Sequence, residues 1–297
     1  MGLKEELLEI KGLKVFTNEP MKTKTTLKTG GETELFLEVY DLLSIKRCVE
    51  ILQRYNFPYK FIGNGSNLLV SDKGYNGCII QAVGLDRIYL ENGVLKAFSF
   101  AKLNNLIDFA KDNRLTGLEG LFGIPATVGG GVIMNCGAFG HNISDFLLSV
   151  CLIKDGKLVV VDKDDCNFGY RKSIFLNSNN FISYVTFRLE IEEQQIINQK
   201  INYYKGLRNS IQPKGNTCGS VFKNTKKYSA GQLIDMAGLK GYSCGGATIS
   251  NKHANFIITT ENATSSDIYC LIQYVKKVVY DKFDILLSEE VEYVGEF

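Results

Sequence analysis

The stretch "GIPATVGGGVIMNCGAFG", Gly123 to Gly140, constrains the fold more than any other, because a third of its positions are glycine while Ile124, Val128, Val132, Ile133 and Met134 keep it apolar. Glycine is costly to order and weakens both helix and strand, so such a run marks a place where the chain turns sharply or something packs directly on the backbone. A packed glycine-rich turn would satisfy that. A second such stretch, "FIGNGSNLLVSDKGYNGCII", Phe61 to Ile80, favours a ligand. There Gly63-Asn64-Gly65-Ser66-Asn67 offers consecutive main-chain N–H groups and short polar side chains suited to an anion-binding nest. Two nests about sixty residues apart suit one ligand with a long phosphate-bearing body. The dinucleotide fingerprint is absent: "GNGSNLL" lacks the third glycine, and a strand is expected after it instead of a helix.

Composition narrows the class. A 45% hydrophobic, 22% charged chain of 297 residues fits a globular protein with a substantial core, and a net charge of +2 without a Lys/Arg block gives no reason to expect a nucleic-acid partner. The N-terminus alternates charge with leucine and no apolar run approaches a membrane span, so a cytoplasmic protein without a membrane partner is expected. Eight scattered cysteines without a CxxC pair, beside only two histidines, read as small buried residues; no metal is expected.

Periodicity predicts an α+β fold. Ile45, Cys48, Val49 and Leu52 share one helical face, as do Leu103, Leu106, Ile107 and Ala110. Strands are expected at "CIIQAV", "RIYL", "VLKAFSF", "SVCLIKDGKLVVVD", with a hairpin turn at Asp155-Gly156, and "NFISYVTFRLEI"; a connecting helix or linker follows at "EEQQIINQK". Farther on, Ser229 with Gln232 and Thr264 with Asp267 form capping boxes, with Gly238 placed to end the first of those helices.

In order along the chain, "NEPMKTKTTLKTGG", "GNGSNLLVSDKGYNGCII", "GLEGLFGIPATVGGGVIMNCGAFG", "FGYRKSIF", "CGSVFKN", "AGQLIDMAGLKGYSCGGATISNKHANFI" and "LLSEEVEYVG" resemble the UDP-N-acetylenolpyruvoylglucosamine reductase family, in its shorter type, from about Asn18 to Gly295. The resemblance implies an FAD-binding part of the vanillyl-alcohol-oxidase type in two α+β subdomains, 1–82 (rejoined by the tail 288–297) and 83–200, and an α+β substrate domain, 201–287. It implies non-covalent FAD, NADPH as reductant, UDP-N-acetylglucosamine enolpyruvate as substrate, and a monomer. On that reading Gly63, Asn64, Gly65 and Ser66, with Gly123, Gly129, Gly130 and Gly137, admit the FAD pyrophosphate to the main chain. Ile124, Pro125 and Ala138 cover its rings, and Asn67, Thr127 and Asn135 add side-chain hydrogen bonds.

Reduction of an enolpyruvyl ether needs a hydride at one alkene carbon, a proton donor at the other, and stabilisation of enolate charge between. By resemblance Ser220 of "CGSVFKN" is the proton donor and Arg171 of "FGYRKSIF" holds the carboxylate. Glu290 stabilises the enolate as a neutral acid, which requires a raised pKa. Tyr170, Lys223 and Asn224 match positions near the substrate. The family commonly reads L-E-P-E-V-R where this chain has Leu287 to Glu292, so Glu289 stands one step from the assigned residue; Thr225 replaces a usual proline. His141 and His253 are expected to be structural. An FAD oxidase of the same fold, or a binding protein without catalysis, would share the glycine loops.

Overall fold

The computed structural model describes residues 2–154 and 156–297. Half of the expected Asp155-Gly156 turn therefore lies outside the described residues; Gly156 has φ +69°, and Lys154 pairs with Lys157 across it. The chain forms two compact units, each assembled from separate segments. The first comprises Met1–Phe16, Leu35–Asn64 and Gly77–Arg208, the second Thr17–Glu34, Gly65–Asn76 and Asn209–Phe297.

In the first unit helices α1 (Leu3–Leu8), α2 (Leu42–Arg54), α3 (Leu103–Asp112), α4 (Val128–Ile133) and most of α5 (Gln194–Ile211) combine with antiparallel strands into an α+β architecture. A five-stranded sheet runs in the order Lys157–Asp162, Leu147–Lys154, Phe181–Phe187, Val94–Phe98, Ile88–Glu91. Asp41 caps α2 by accepting from Ser44 N at 2.8 Å, and the helix buries Ile45, Cys48 and Leu52 completely. Helix α3 buries the expected Leu103, Leu106, Ile107 and Ala110 in a core with Val128, Val132, Val150 and Val185. Strand Tyr59–Phe61, parallel to Tyr75–Ala82, delivers the chain to the first glycine loop.

The second unit packs α6 (Ala230–Met236) and α7 (Ser265–Phe283) with a three-stranded antiparallel sheet, Ser243–Cys244, Ala247–Ile249 and Ile257–Thr259. Both capping boxes are formed. Gly238 takes φ +77° just after α6, and α7 turns Ile268, Leu271, Ile272, Val275 and Val279 inward. Strand Leu68–Val70 follows the first glycine loop and pairs in parallel with Glu292–Val294 of the C-terminal tail. Among the described residues no helix is long and apolar enough to cross a membrane.

Helix α4 departs from propensity. Its sequence is Val-Gly-Gly-Gly-Val-Ile, and each glycine costs about 1 kcal/mol relative to alanine in a helix interior. Packing compensates: a Cβ on Gly129 would sit 2.7 Å from Ser99 Cβ, and one on Gly131 2.9 Å from Cys136 Sγ. Only bare backbone lets the helix approach its neighbours this closely.

Candidate active site

The first glycine loop is short of acceptors. Its carbonyls are used, Gly63 O accepting from Gln81 Nε2 (2.8 Å) and Gly65 O from Thr26 N (3.3 Å). Among the described residues no acceptor receives the main-chain N–H of Gly63, Asn64, Gly65, Ser66 or Asn67. Amide donors at a folded surface need partners, and successive N–H groups in a turn form a concave anion site. Gly65 has φ +61°, and a Cβ there would lie 2.1 Å from Lys24 O, so only glycine fits.

Within the first unit Gly63 and Asn64 meet the second glycine segment. Asn64 Nδ2 donates to Pro125 O at 2.9 Å, and a Cβ on Gly63 would touch Thr127 Oγ1 at 2.5 Å. Donors in the second segment are already engaged. Thr127 caps α4 by accepting from Gly130 N (3.2 Å). Val128 N donates to Ala101 O and Gly129 N to Ser99 O, each at 2.8 Å, and Gly123 N donates to Asn104 Oδ1 at 2.7 Å. The first turn of the helix is thus satisfied within the chain.

The end of this segment carries Arg171. Asn135, 4% exposed and at φ +44°, donates from Nδ2 to Gly169 O (3.0 Å) and accepts from Ser144 N (3.3 Å). Gly169 and Lys172 exchange main-chain hydrogen bonds around a tight turn centred on Tyr170 and Arg171. Arg171 occupies its positive-φ position at +51°, a cost of about 1–3 kcal/mol for a residue other than glycine. Its Nη2 donates to Gly137 O at 3.1 Å, and the guanidinium lies 5.1 Å from the centre of the exposed Tyr170 ring. Ala138 pairs with His141 in the two-residue ladder that follows.

Sequence reasoning missed Arg208, at the end of the helix read as a connector. Its Nε donates to Phe122 O (2.9 Å), its guanidinium lies 5.3 Å from the Phe139 ring centre, and a Cβ on Gly123 would meet its Cδ at 2.8 Å. Burial lowers its pKa from the usual arginine value. The available signal was a basic residue in the last turn of an amphipathic helix, which does not reveal a partner 86 positions away. Tyr204, from the same helix, bonds His141 Nε2 at 2.9 Å.

In the second unit Ser220 and Glu290 lie on adjoining backbone lanes. Half-buried Ser220 pairs with Phe256, and Phe222 with Glu289. Glu290 N donates to Val221 O at 2.8 Å, and Lys223 N to Ser288 O at 2.9 Å. Asn67 Nδ2 donates to Glu290 O at 2.8 Å, while Glu292 N donates to Asn67 O at 2.9 Å. The neighbouring Glu289 is committed elsewhere: its Oε1 accepts from Lys276 Nζ at 2.7 Å and from Tyr293 Oη at 3.4 Å. Burial, with Glu290 adding to it, pushes the Cys218 thiol up to about 12, so this cysteine is no nucleophile at neutral pH. Asn224 Oδ1 accepts from Ala230 N at the start of α6 (3.0 Å); Lys223 is half-buried beside it in sequence.

An unpaired run of amide donors fits a pyrophosphate, and residues 34–162 match the FAD binding domain family. A BBE-like 1 protein of Physcomitrella patens shares the fold, with a TM-score of 0.52 and 14% identity over 64% of this chain and 45% of that one. The class is therefore an α+β FAD-binding protein. Residues 212–294 match the C-terminal domain of UDP-N-acetylenolpyruvoylglucosamine reductase. The reductase of that name from Anoxybacillus flavithermus is 39% identical over 99% of this chain and 98% of its own length. That from Listeria monocytogenes is 38% identical over 94% of each. A crystal structure of the Thermus caldophilus reductase superposes with a TM-score of 0.83 at 33% identity, covering 95% of this chain and 99% of that one. The chain belongs to the UDP-N-acetylenolpyruvoylglucosamine reductase family.

Proposed function

We propose that this protein reduces UDP-N-acetylglucosamine enolpyruvate to UDP-N-acetylmuramate with NADPH as reductant, acting as a cytoplasmic monomer in peptidoglycan precursor synthesis. FAD held here would supply the hydride chemistry, with NADPH as the source of reducing equivalents and the enolpyruvyl alkene as their destination. Gly63 to Asn67 donate main-chain hydrogen bonds to the pyrophosphate. Ser220 gives its hydroxyl proton to the carbon left carbanionic, so that one hydride and one proton add across the double bond. Arg171 pairs with the substrate carboxylate through its planar fork, and Glu290 as a neutral acid hydrogen-bonds the enolate oxygen. Lys223, Asn224 and Tyr170 are assigned to substrate binding, the amide and ammonium donors suiting a diphosphate or carboxylate. The division into 1–82 with 288–297, 83–200 and 201–287 is part of this reading, and the pairing of Glu292–Val294 with Leu68–Val70 supports the returning tail.

The observation that carries the assignment is the hydrogen bond from Glu290 N to Val221 O, which places an acid backbone beside the residue that follows Ser220. Glu289, one step away, has its Oε1 engaged by Lys276 Nζ at 2.7 Å and Tyr293 Oη at 3.4 Å. The purified protein should be yellow, bleach with NADPH, and regain colour with the enolpyruvyl substrate under anaerobic conditions. In Ser220→Ala we expect unchanged bleaching and at least a 100-fold slower return of colour. Turnover equal to the parent would overturn the proton-donor role, and colour returning only with air would point to an oxidase.

A further inference from the structure

The strand that bears Ser220 has a second edge, and one side chain supplies much of it. Asn255 is 3% exposed. Its Oδ1 accepts from Phe222 N at 2.9 Å, and its Nδ2 donates to Phe222 O at 2.8 Å. Its own carbonyl accepts from Val221 N at 2.9 Å, and its main-chain N donates to His253 Nδ1 at 3.2 Å. The carboxamide thus replaces a neighbouring peptide group in a ladder, matching donor to acceptor and acceptor to donor. On the opposite edge the same strand holds Glu290 through Val221 O and Ser288 through Lys223 N. Segment 220–223 is therefore the middle lane of three, and the Asn255 amide fixes its register at the residues immediately after Ser220.

We propose that Asn255 is the positioning residue for Ser220. It acts through Phe222 and Val221 and sets where the hydroxyl stands. A displacement of about 1 Å in a reacting geometry can cost about 100-fold in rate, and groups in such sites must be held within about 0.5 Å. A buried amide with all partners matched rigidifies its surroundings, whereas replacing one partner leaves an unmatched polar group. Asn255→Asp is nearly isosteric but places a carboxylate oxygen against Phe222 O in place of the N–H donor.

The inference rests on the proton-donor reading of Ser220, so the test separates the two. FAD-loaded full-length protein carrying Asn255→Asp, and Asn255→Ser in case the first variant does not fold, is examined by stopped flow in both half-reactions. Flavin reduction by NADPH should stay within about twofold of the parent, and substrate Kd within about threefold. Flavin reoxidation by saturating enolpyruvyl substrate should slow by about 30-fold or more. Added to Ser220→Ala, Asn255→Asp should slow reoxidation by no more than about twofold further, since the group it positions is gone. Equal loss in both half-reactions, or additive loss in the double variant, would reduce Asn255 to a stabilising core residue and overturn the proposal. A collapsed Ser220→Ala with an unchanged Asn255→Asp would refute the positioning role alone. An unchanged Ser220→Ala would remove the proton-donor reading and the positioning role with it.

Discussion

The two glycine-rich segments have similar composition and opposite construction. In Gly63 to Asn67 the main-chain donors find no acceptor among the described residues, and the carbonyls anchor the loop to Gln81 and Thr26. In Gly123 to Gly140 the donors at the start of α4 are spent on Ala101, Ser99 and Thr127, and the glycines serve to bring backbone against Ser99 and Cys136. Glycine therefore answers two different needs. One is a positive-φ bend that exposes N–H groups; the other is a missing Cβ that permits contact. The first segment resembles a receptor for an anion, the second a support on which Thr127, Asn135 and Arg171 are mounted.

Substitutions at three glycines test this contrast. The largest loss is expected for Gly65→Ala, where φ +61° and a Cβ 2.1 Å from Lys24 O combine backbone strain with a clash against carbonyl oxygen. Together these should cost about 3 kcal/mol or more, read as a lowered denaturant midpoint of the FAD-free protein. A fall below about 1 kcal/mol would show that the bend can relax.

Gly129→Ala should cost about 1–3 kcal/mol by overpacking against Ser99, despite the better helix propensity of alanine. The same shift should loosen the packing over Cys136, 9% exposed in the parent, so that it reacts with N-ethylmaleimide alongside exposed Cys270. Protection of Cys136 equal to the parent would break the support reading of this segment.

The smallest effect belongs to Gly130→Ala, whose Cβ would meet only Thr127 Oγ1, at 3.3 Å. Stability of the FAD-free protein should stay within about 1 kcal/mol of the parent, because propensity gained offsets a slight push on the cap. A large drop in FAD affinity with unchanged stability would show that this face of α4 also lies against the cofactor, and would narrow the difference between the two segments.

Legibility in the sequence followed the range of the interaction. The ends of α6 and α7 were readable because a capping box is written within four residues, as Ser229 with Gln232 and Thr264 with Asp267 show. The inward faces of α2, α3 and α7 were readable from periodicity. Helix α4 was not, since three consecutive glycines argue against a helix and only contacts with Ser99 and Cys136 explain it. The short polar side chains of Asn67, Thr127 and Asn135 stood out in the sequence, while their partners inside the protein, Glu290 O, Gly130 N and Gly169 O, came from the structure. Neither Arg208 nor the Asn255 amide could be picked out, because nothing local marks a side chain whose partners lie 86 or 33 positions away.

By itself the sequence determined the α+β class, the helix caps, the two bare bends and the family, since each is encoded in neighbouring residues or in long contiguous motifs. Tertiary structure alone decided which donors remain open, which of two adjacent glutamates is held in an ion pair, and that one buried amide fixes the Ser220 strand. Those outcomes depend on closing loops of tens to hundreds of residues, and the free energy that closes them comes from the packed core as a whole, which no short stretch of chain records.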